Sequence, residues 1–313
     1  MVAISENPVF QDADKAREFL ESQLWPHGSI CPHCGVIGGA THLQGKAHRS
    51  GVYKCNDCGK QFTVTVGTLF ERSHIPLNKW LLILHLMVAS KKGISAHQIH
   101  RMLGLTYKSA WFACHRLREA MREGKLPGGL GGEGKFVEAD ETYVGGRAAN
   151  RAYGAIPYKE IVVSLVERGG QVRSHHVADV TAATLKPILV DAIAKDTHFR
   201  TDSSPVYTGL GEGYASHATV NHSIKEYVRG DAYTNTAEGY FSILKRGIYG
   251  VYHHVSAEHL KRYLGEFDFR YNYRIALGVT DDERMAKALS GIVGKRLTYR
   301  RTRRAENEQA IPF

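Results

Sequence analysis

The sequence predicts an α/β protein with a cysteine-rich module in front of it, and three observations carry that prediction. Cys31-Pro-His-Cys34 and Cys55-Asn-Asp-Cys58 form two Cys-x-x-Cys pairs with 20 residues between them. Beyond a glycine-dense stretch the pattern turns to short strand-like runs: Phe136–Val144, Ile161–Val166, Gln171–Val177 and Thr197–Asp202. Acidic residues then fall on a strand, at a strand end and at a helix start: Asp140, Asp202 and Glu238.

Composition narrows the partners. Lys and Arg number 41 against 31 Asp and Glu, for a net charge of +10 and a pI near 9.3, so a polyanion is the expected partner. A hydrophobic content of 43% is that of a globular chain. The longest apolar run, Trp80–Ala89, contains His85 and falls short of the ~20 residues that span a bilayer. Met1–Asn7 has no cationic leader, and the expected location is the cytoplasm, at the nucleoid, with no membrane partner.

Taken in order, residues 1–28 predict a helical lead with Ala16, Phe19, Leu20 and Leu24 on one face. Residues 29–72 predict a zinc ribbon. Each Cys-x-x-Cys makes a tight knuckle, helped by Gly35 and Gly59, and Cys31, Cys34, Cys55 and Cys58 supply four thiolates to one structural Zn²⁺. His33, His42 and His48 are then left to solvent, Phe62–Val66 adds a strand, and Cys114 is a buried small residue. Residues 73–125 read as helices, with Ser95 and Thr106 as N-caps and Gly104 in the turn between two of them. Such a pair is either a helix-turn-helix presenting Lys108, His115, Arg116 and Arg118 to DNA or an αα-hairpin packed in a bundle. Residues 126–134 are the linker.

Residues 135–280 predict the second domain. Gly169-Gly170 joins two strands as a hairpin, and Leu185, Ile188, Leu189, Ala192 and Ile193 mark a helix that tolerates Pro187 only in its first turns. Strand, hairpin, helix, strand and acid-bearing helix is the order of a ribonuclease-H-like catalytic fold, with acids at strand ends. In the last helix Ala237, Phe241, Leu244 and Ile248 form an apolar stripe, and Asn235, Glu238, Ser242 and Lys245 a polar one. A further helix after Ser256 turns Leu260, Leu264, Phe267 and Tyr271 to the core, and residues 281–313 end in a basic arm rich in Lys and Arg, suited to a phosphate backbone.

Asp202 and Glu238 are separated by 35 residues, and Lys245 lies seven beyond Glu238, two helical turns on. Three carboxylates from distant segments suit metal-assisted phosphoryl chemistry. Asp140 would bridge two Mg²⁺ ions (or Mn²⁺), with Asp202 on one and Glu238 on the other. Lys245 would hold a DNA phosphate, and Arg246 would assist. Asn235 with Glu238 three residues later also reads as a capping box for the start of this helix, and Glu141 takes the place of Asp140 if the strand register shifts by one.

Several stretches resemble the zinc-ribbon insertion-sequence transposases related to the Merlin elements, an ISXO-like branch of the DDE transposases. They are Gln61–Glu71, Ile75–Trp80, Lys91–Ser95, Ser109–Phe112, Glu138–Gly146, Thr201–Ser203, Thr234–Gly239, Lys245-Arg246 and Phe269–Asn272, spread over nearly the whole chain. The resemblance implies DNA transposition: metal-dependent cleavage at the element's ends, then attack of the freed 3′-hydroxyl on target DNA. It implies Asp140 and Asp202 as the first two catalytic carboxylates and a third ligand that is glutamate or asparagine, so that Asn235 is the alternative to Glu238, Glu238 then serving as the cap. It also implies double-stranded DNA as partner, both terminal inverted repeats and target, bound by a homo-oligomer that pairs two ends. Two other classes use parts of the same sequence. A DNA-binding regulator needs the ribbon and the helices but not three acids, and a nuclease or junction resolvase needs the acids without strand transfer.

Overall fold

A computed structural model of the chain describes residues 3–124, 128–145 and 159–298. The basic stretch Arg147–Tyr158 and the arm from Tyr299 onward lie outside the described residues. The chain divides into two units, Met1–Leu84 with Ala96–Ala120 and Ala288–Phe313, and His85–Ser95 with Met121–Lys287. The helical stretch expected at 73–125 is therefore shared between them.

In the first unit the lead is two helices, α1 (Pro8–Gln11) and α2 (Ala13–Leu24), capped by the side chains of Asn7 and Asp12. Ala16 and Leu20 of α2 are buried, and Glu21 accepts a hydrogen bond from the Tyr53 hydroxyl at 3.1 Å. Three short antiparallel strands follow, β1 (Ala40–His42), β2 (Tyr53–Cys55) and β3 (Gln61–Phe62). The strand expected over Phe62–Val66 stops at Phe62. That residue pairs with Tyr53, the first of β2, and the positive φ of Gly51 turns the partner chain away. Left without a partner, the chain curls into turns in which Val66 N–H donates to Thr63 and Thr68 N–H to Thr65.

Helices α3 (Leu77–Ala89), α4 (Ala96–Leu103) and α5 (Tyr107–Met121) come next, with Gly104 at φ 62° in the turn and Thr106 Oγ1 accepting the Ser109 N–H. The expectation that α5 offers four basic residues to DNA needs correction. Lys108 is exposed, but His115 and Arg118 are buried, and Arg116 lies over the Trp80 and Phe112 rings and donates to the carbonyls of Glu71 and Leu297. Ala110, Ala113, Cys114 and Leu117 are buried as well, so three faces of α5 are committed to packing. The stretch expected as a basic tail begins instead with a helix, α9 (Asp281–Ser290). Its end is anchored in this unit: Ile292 is buried, Val293 bridges to Thr68, and Lys295 Nζ donates to the Glu119 carbonyl.

The second unit is built on a five-stranded sheet. Its strands are β4 (Phe136–Val144), β5 (Glu160–Glu167), β6 (Val172–Val177), β7 (His198–Asp202) and β8 (Ser216–Val220), in the spatial order β6-β5-β4-β7-β8. β4 pairs antiparallel with β5 and parallel with β7, and β8 extends the parallel side, so the sheet is mixed. β8 is an element that sequence pattern does not reveal: Ser-His-Ala-Thr-Val has a single buried residue, Val220, because the strand lies at the sheet edge. One face of the sheet packs against α7 (Asn235–Gly247) and α8 (Ala257–Asn272), with Val144, Val162, Val166 and Val172 meeting Tyr240, Leu244, Leu264 and Phe267. The other packs against α6 (Ala182–Ala192), with Val137, Ala139, Val163 and Phe199 meeting Leu185 and Leu189. Thr181 caps α6, which starts early enough to place Pro187 in its second turn rather than its first.

The glycine-rich stretch is not a free linker throughout. From Leu130 onward it is an edge of this unit: Leu130 is buried, bridges to Ile193 and exchanges backbone hydrogen bonds with Ala192 and Ala194. Gly131 is required there, since its φ is 84° and a Cβ would come within 2.2 Å of Thr197 Oγ1.

Candidate active site and cysteine cluster

The two knuckles of the ribbon form as local hydrogen bonding dictates. Gly35 N–H donates to the Cys31 carbonyl and Gly59 N–H to that of Cys55, and the positive φ of both glycines closes the turns. They bring the sulfurs of Cys31, Cys34, Cys55 and Cys58 within 4.8 Å of one another, with Cys31–Cys58 at 3.7 Å and Cys34–Cys55 at 3.5 Å. A tetrahedral Zn²⁺ with bonds of about 2.3 Å sets its sulfurs roughly 3.8 Å apart, so the donor set fits that ion. The spacing is far beyond the ~2.05 Å of a disulfide. Burial opposes a thiolate at Cys31, but the N–H groups of His33 and Cys34 outweigh it and lower that thiol to about 6. His33, His42 and His48 are exposed, and His42 stacks on Tyr53.

In the second unit the pleat of β4 sorts its side chains. Val137 and Ala139 point to the α6 face, so Glu138, Asp140 and Thr142 share the α7 face with Val144. Parallel pairing sets Glu138 beside Arg200, and Asp140 and Asp202 each lie two residues further along their adjacent strands. Glu238 approaches from the first turn of α7. Burial pushes the Asp140 carboxyl up to about 7, against the Glu141 N–H that donates to its Oδ1 at 2.8 Å. The charges of Glu141, Asp202 and Glu238 act in the same direction as burial. Asp202 ends β7 with its Oδ1 accepting the Ser204 N–H at 3.1 Å.

The other expected residues fall as follows. Lys245 is half-buried, two turns along the polar stripe of α7 from Glu238, about 10.5 Å by helical rise. Arg246 folds back onto Ser242 of the same helix. Asn235 is exposed and is the first residue of α7, after Thr234 at the cap position. Glu141 stands on the opposite face of β4 from Asp140, where it accepts a hydrogen bond from the buried Tyr207 hydroxyl at 2.5 Å. Burial raises the Glu141 carboxyl, Tyr207 lowers it, and Asp202 raises it. Among the described residues only the four cysteines bring three or more ligand atoms within 4.8 Å, so the carboxylates stand more open than a closed cage.

The capping box that Asn235 and Glu238 offer as an alternative gives way to a longer-range arrangement. Glu138, fully buried, accepts the N–H groups of Thr236 and Ala237 on Oε2 at 2.8 and 3.0 Å. Its Oε1 accepts the Thr236 hydroxyl at 2.9 Å and Arg168 Nε at 2.6 Å. Sequence reasoning assigned Glu138 no role, although a charged residue at an otherwise apolar strand position, with the parity of Asp140, was a signal. It also passed over His222, whose Nε2 lies 3.9 Å from Glu238 Oε1 and 3.2 Å from Thr234 Oγ1.

Fold and side-chain clusters together define a class: a four-cysteine ribbon module followed by an α/β domain on a mixed sheet that carries Asp140, Asp202 and Glu238. The chain belongs to the insertion-sequence transposases of the ISXO2-like, zinc-ribbon type. Residues 129–272 match the ISXO2-like transposase domain and residues 11–61 the transposase zinc-ribbon domain, together more than half of the chain. The ribbon match takes in α2. The chain is 28% identical over 280 residues to a protein in transposable element ISH50 of Halobacterium salinarum, covering 83% of this chain and 91% of that one. It is also similar to a chain of a simian T-cell lymphotropic virus intasome solved with a PP2A regulatory subunit. That match has 16% identity and a TM-score of 0.29, and it covers 54% of this chain and 63% of that one. Among the described residues no helix is long and apolar enough to cross a membrane.

Proposed function

We propose that the chain is a DDE-type DNA transposase that cleaves DNA at the ends of its element and transfers the freed 3′-hydroxyl into target DNA. The observation that carries this is the register of the sheet, which sets Asp140 and Asp202 at matching positions on adjacent parallel strands, with Glu238 approaching from the first turn of α7 and its charge reaching Asp140. Carboxylates that repel one another are a donor set for a hard divalent cation. The openness of the group suits Mg²⁺, which keeps several waters and takes one or two carboxylates together with phosphate oxygens. Asp140, Asp202 and Glu238 would hold the metal, and a cation bound there supplies positive charge against the charge developing on the phosphoryl oxygens.

The chain's own residues do the rest. Asp202 is held by its turn at the end of β7 and Asp140 by the centre of the sheet, so both face the DNA phosphate from rigid elements. Glu238 is favoured over Asn235 as third ligand because its charge reaches Asp140, and because the α7 N–H groups are already satisfied by Glu138. Lys245 supplies a cation for a phosphate further along the strand. The strand order, with three antiparallel and two further parallel strands around β4, supports the ribonuclease-H-like assignment. The zinc ribbon, with the exposed rim of the α4–α5 turn at Arg101, Tyr107 and Lys108, supplies the DNA-binding surface. The working form is a homo-oligomer at the nucleoid, because two element ends have to meet.

The test is cleavage and joining of DNA bearing the sequences that flank the gene, in Mg²⁺, by wild type and Asp202→Asn. Joined products from wild type alone, with DNA binding retained in both, is the expected result. Joining by Asp202→Asn refutes the site. Cleavage without joining makes the protein a nuclease, and binding without cleavage by either makes it a regulator.

A further inference from the structure

We infer that Glu138, paired with Arg168, is the positioning residue that sets Glu238 against Asp140. The inference rests on the metal-dependent reading of the acidic site above. Glu138 lies two residues before Asp140 on the same face of β4, at the centre of the sheet. From there it spends all of its hydrogen-bonding on the start of α7 and on one arginine, through four contacts of 2.6 to 3.0 Å. Arg168, at the β5–β6 hairpin, completes the clamp. Its two terminal nitrogens donate to the carbonyls of Asp231 and Tyr233 at 2.8 and 2.9 Å, and its guanidinium lies 3.4 Å from the Tyr233 ring centre. The strand that carries one acid thus grips both the approach to α7 and its first turn, and Glu238 is the next residue after Ala237.

The physical case has two parts. A carboxylate at a helix N-terminus satisfies N–H groups that have no partner within the helix, and it is favoured by the helix dipole. A fully buried charge is tolerated when it is paired and its lone pairs are filled, which Arg168 and Thr236 accomplish. The consequence is a short rigid path from Asp140 to Glu238. One strand step of two residues leads to Glu138, the hydrogen bonds lead to Thr236 and Ala237, and one peptide leads to Glu238. Sequence distance hides it, since Glu138 and Ala237 are 99 residues apart. Glu138 touches no reacting atom; it acts by holding one metal-binding carboxylate in place relative to another.

The experiment uses the zinc-loaded full chain and two readouts: Mn²⁺ binding followed by electron paramagnetic resonance, and DNA cleavage as a function of Mg²⁺. Wild type, Asp202→Asn, Glu138→Gln and Arg168→Lys are compared. Glu138→Gln keeps the shape but sets an amide N–H₂ against donors, and Arg168→Lys keeps the charge but loses the grip on two carbonyls. Outer partners of metal ligands are typically worth about 10- to 100-fold in metal affinity. Both variants are therefore expected to weaken Mn²⁺ binding and to move the Mg²⁺ half-saturation of cleavage by at least about tenfold, with DNA affinity unchanged. A purely structural role would lower the active fraction and leave the Mg²⁺ half-saturation of the remainder where it was, and that result overturns the inference. If Glu138→Gln does not fold, Arg168→Lys decides on the same criteria. Mn²⁺ binding that is identical in wild type and Asp202→Asn would instead overturn the metal site itself.

Discussion

Replacing Asp140 by Asn should stabilise the metal-free protein at neutral and alkaline pH. The carboxyl is pushed from 3.8 to about 7 in the folded chain, chiefly by burial and then by the neighbouring acids. Because the folded pKa is the higher one, the native state binds the extra proton between about pH 4 and 7. The stabilisation is fully present below pH 4 and is lost as pH rises through 7. A tenfold change in an ionisation equilibrium is worth about 1.4 kcal/mol, so the loss amounts to at most about 4 kcal/mol. Asn keeps an oxygen for the Glu141 N–H and cannot ionise, so the variant escapes the penalty. The assay is urea unfolding of zinc-loaded protein without added divalent cations, from pH 4 to pH 8. Wild type and Asp140→Asn should coincide at the acid end, and the variant should be ahead by up to about 4 kcal/mol at pH 8. Saturating Mg²⁺ should then stabilise wild type, more at pH 8 than at pH 6, and leave the variant unmoved, because the cation takes the place of the proton. Equal stability at pH 8 without metal, or a less stable variant, would refute the reasoning that Asp140 is a half-buried carboxylate held under like charge.

Two further outcomes follow from the packing. Cys55→Ser, or removal of zinc by a chelator, should unfold the ribbon and abolish binding to element-end DNA, since structural zinc in small modules supplies on the order of 10 kcal/mol of folding free energy; zinc quantitation with circular dichroism and a DNA-binding assay checks it. Asp268→Ala should cost roughly 2–4 kcal/mol in chemical denaturation, because it strips the Ser174 N–H and hydroxyl and the buried Tyr240 hydroxyl of their shared acceptor.

The two Cys-x-x-Cys pairs were legible because zinc chemistry is local: a knuckle is four residues long and carries its own turn. The stripes of α7 were legible for a similar reason. Ala237, Phe241, Leu244 and Ile248 recur at the helical period and are all buried, with Glu238 and Lys245 on the polar side. Position on a strand was partly legible, since alternation gives parity but not partners. In α5 charge does not mean exposure. Arg118 and His115 are buried, and the aliphatic stem of a long cation fits a core as well as it fits a solvent face.

By itself the sequence determined the cysteine module, the basic balance, the helix faces and the order of strands and helices that carries the acids. Each of these depends on residues within a turn or two of one another. Only the tertiary structure decided that β8 joins the sheet, that Leu130 pairs with Ile193 after α6, and that Glu138 rather than Glu238 or Asn235 caps α7. Those depend on contacts across tens of residues. Strand parity marks Glu138 as a charge on the Asp140 face, but the pairing of β4 with β7 and the packing of α7 on that face decide which groups it meets.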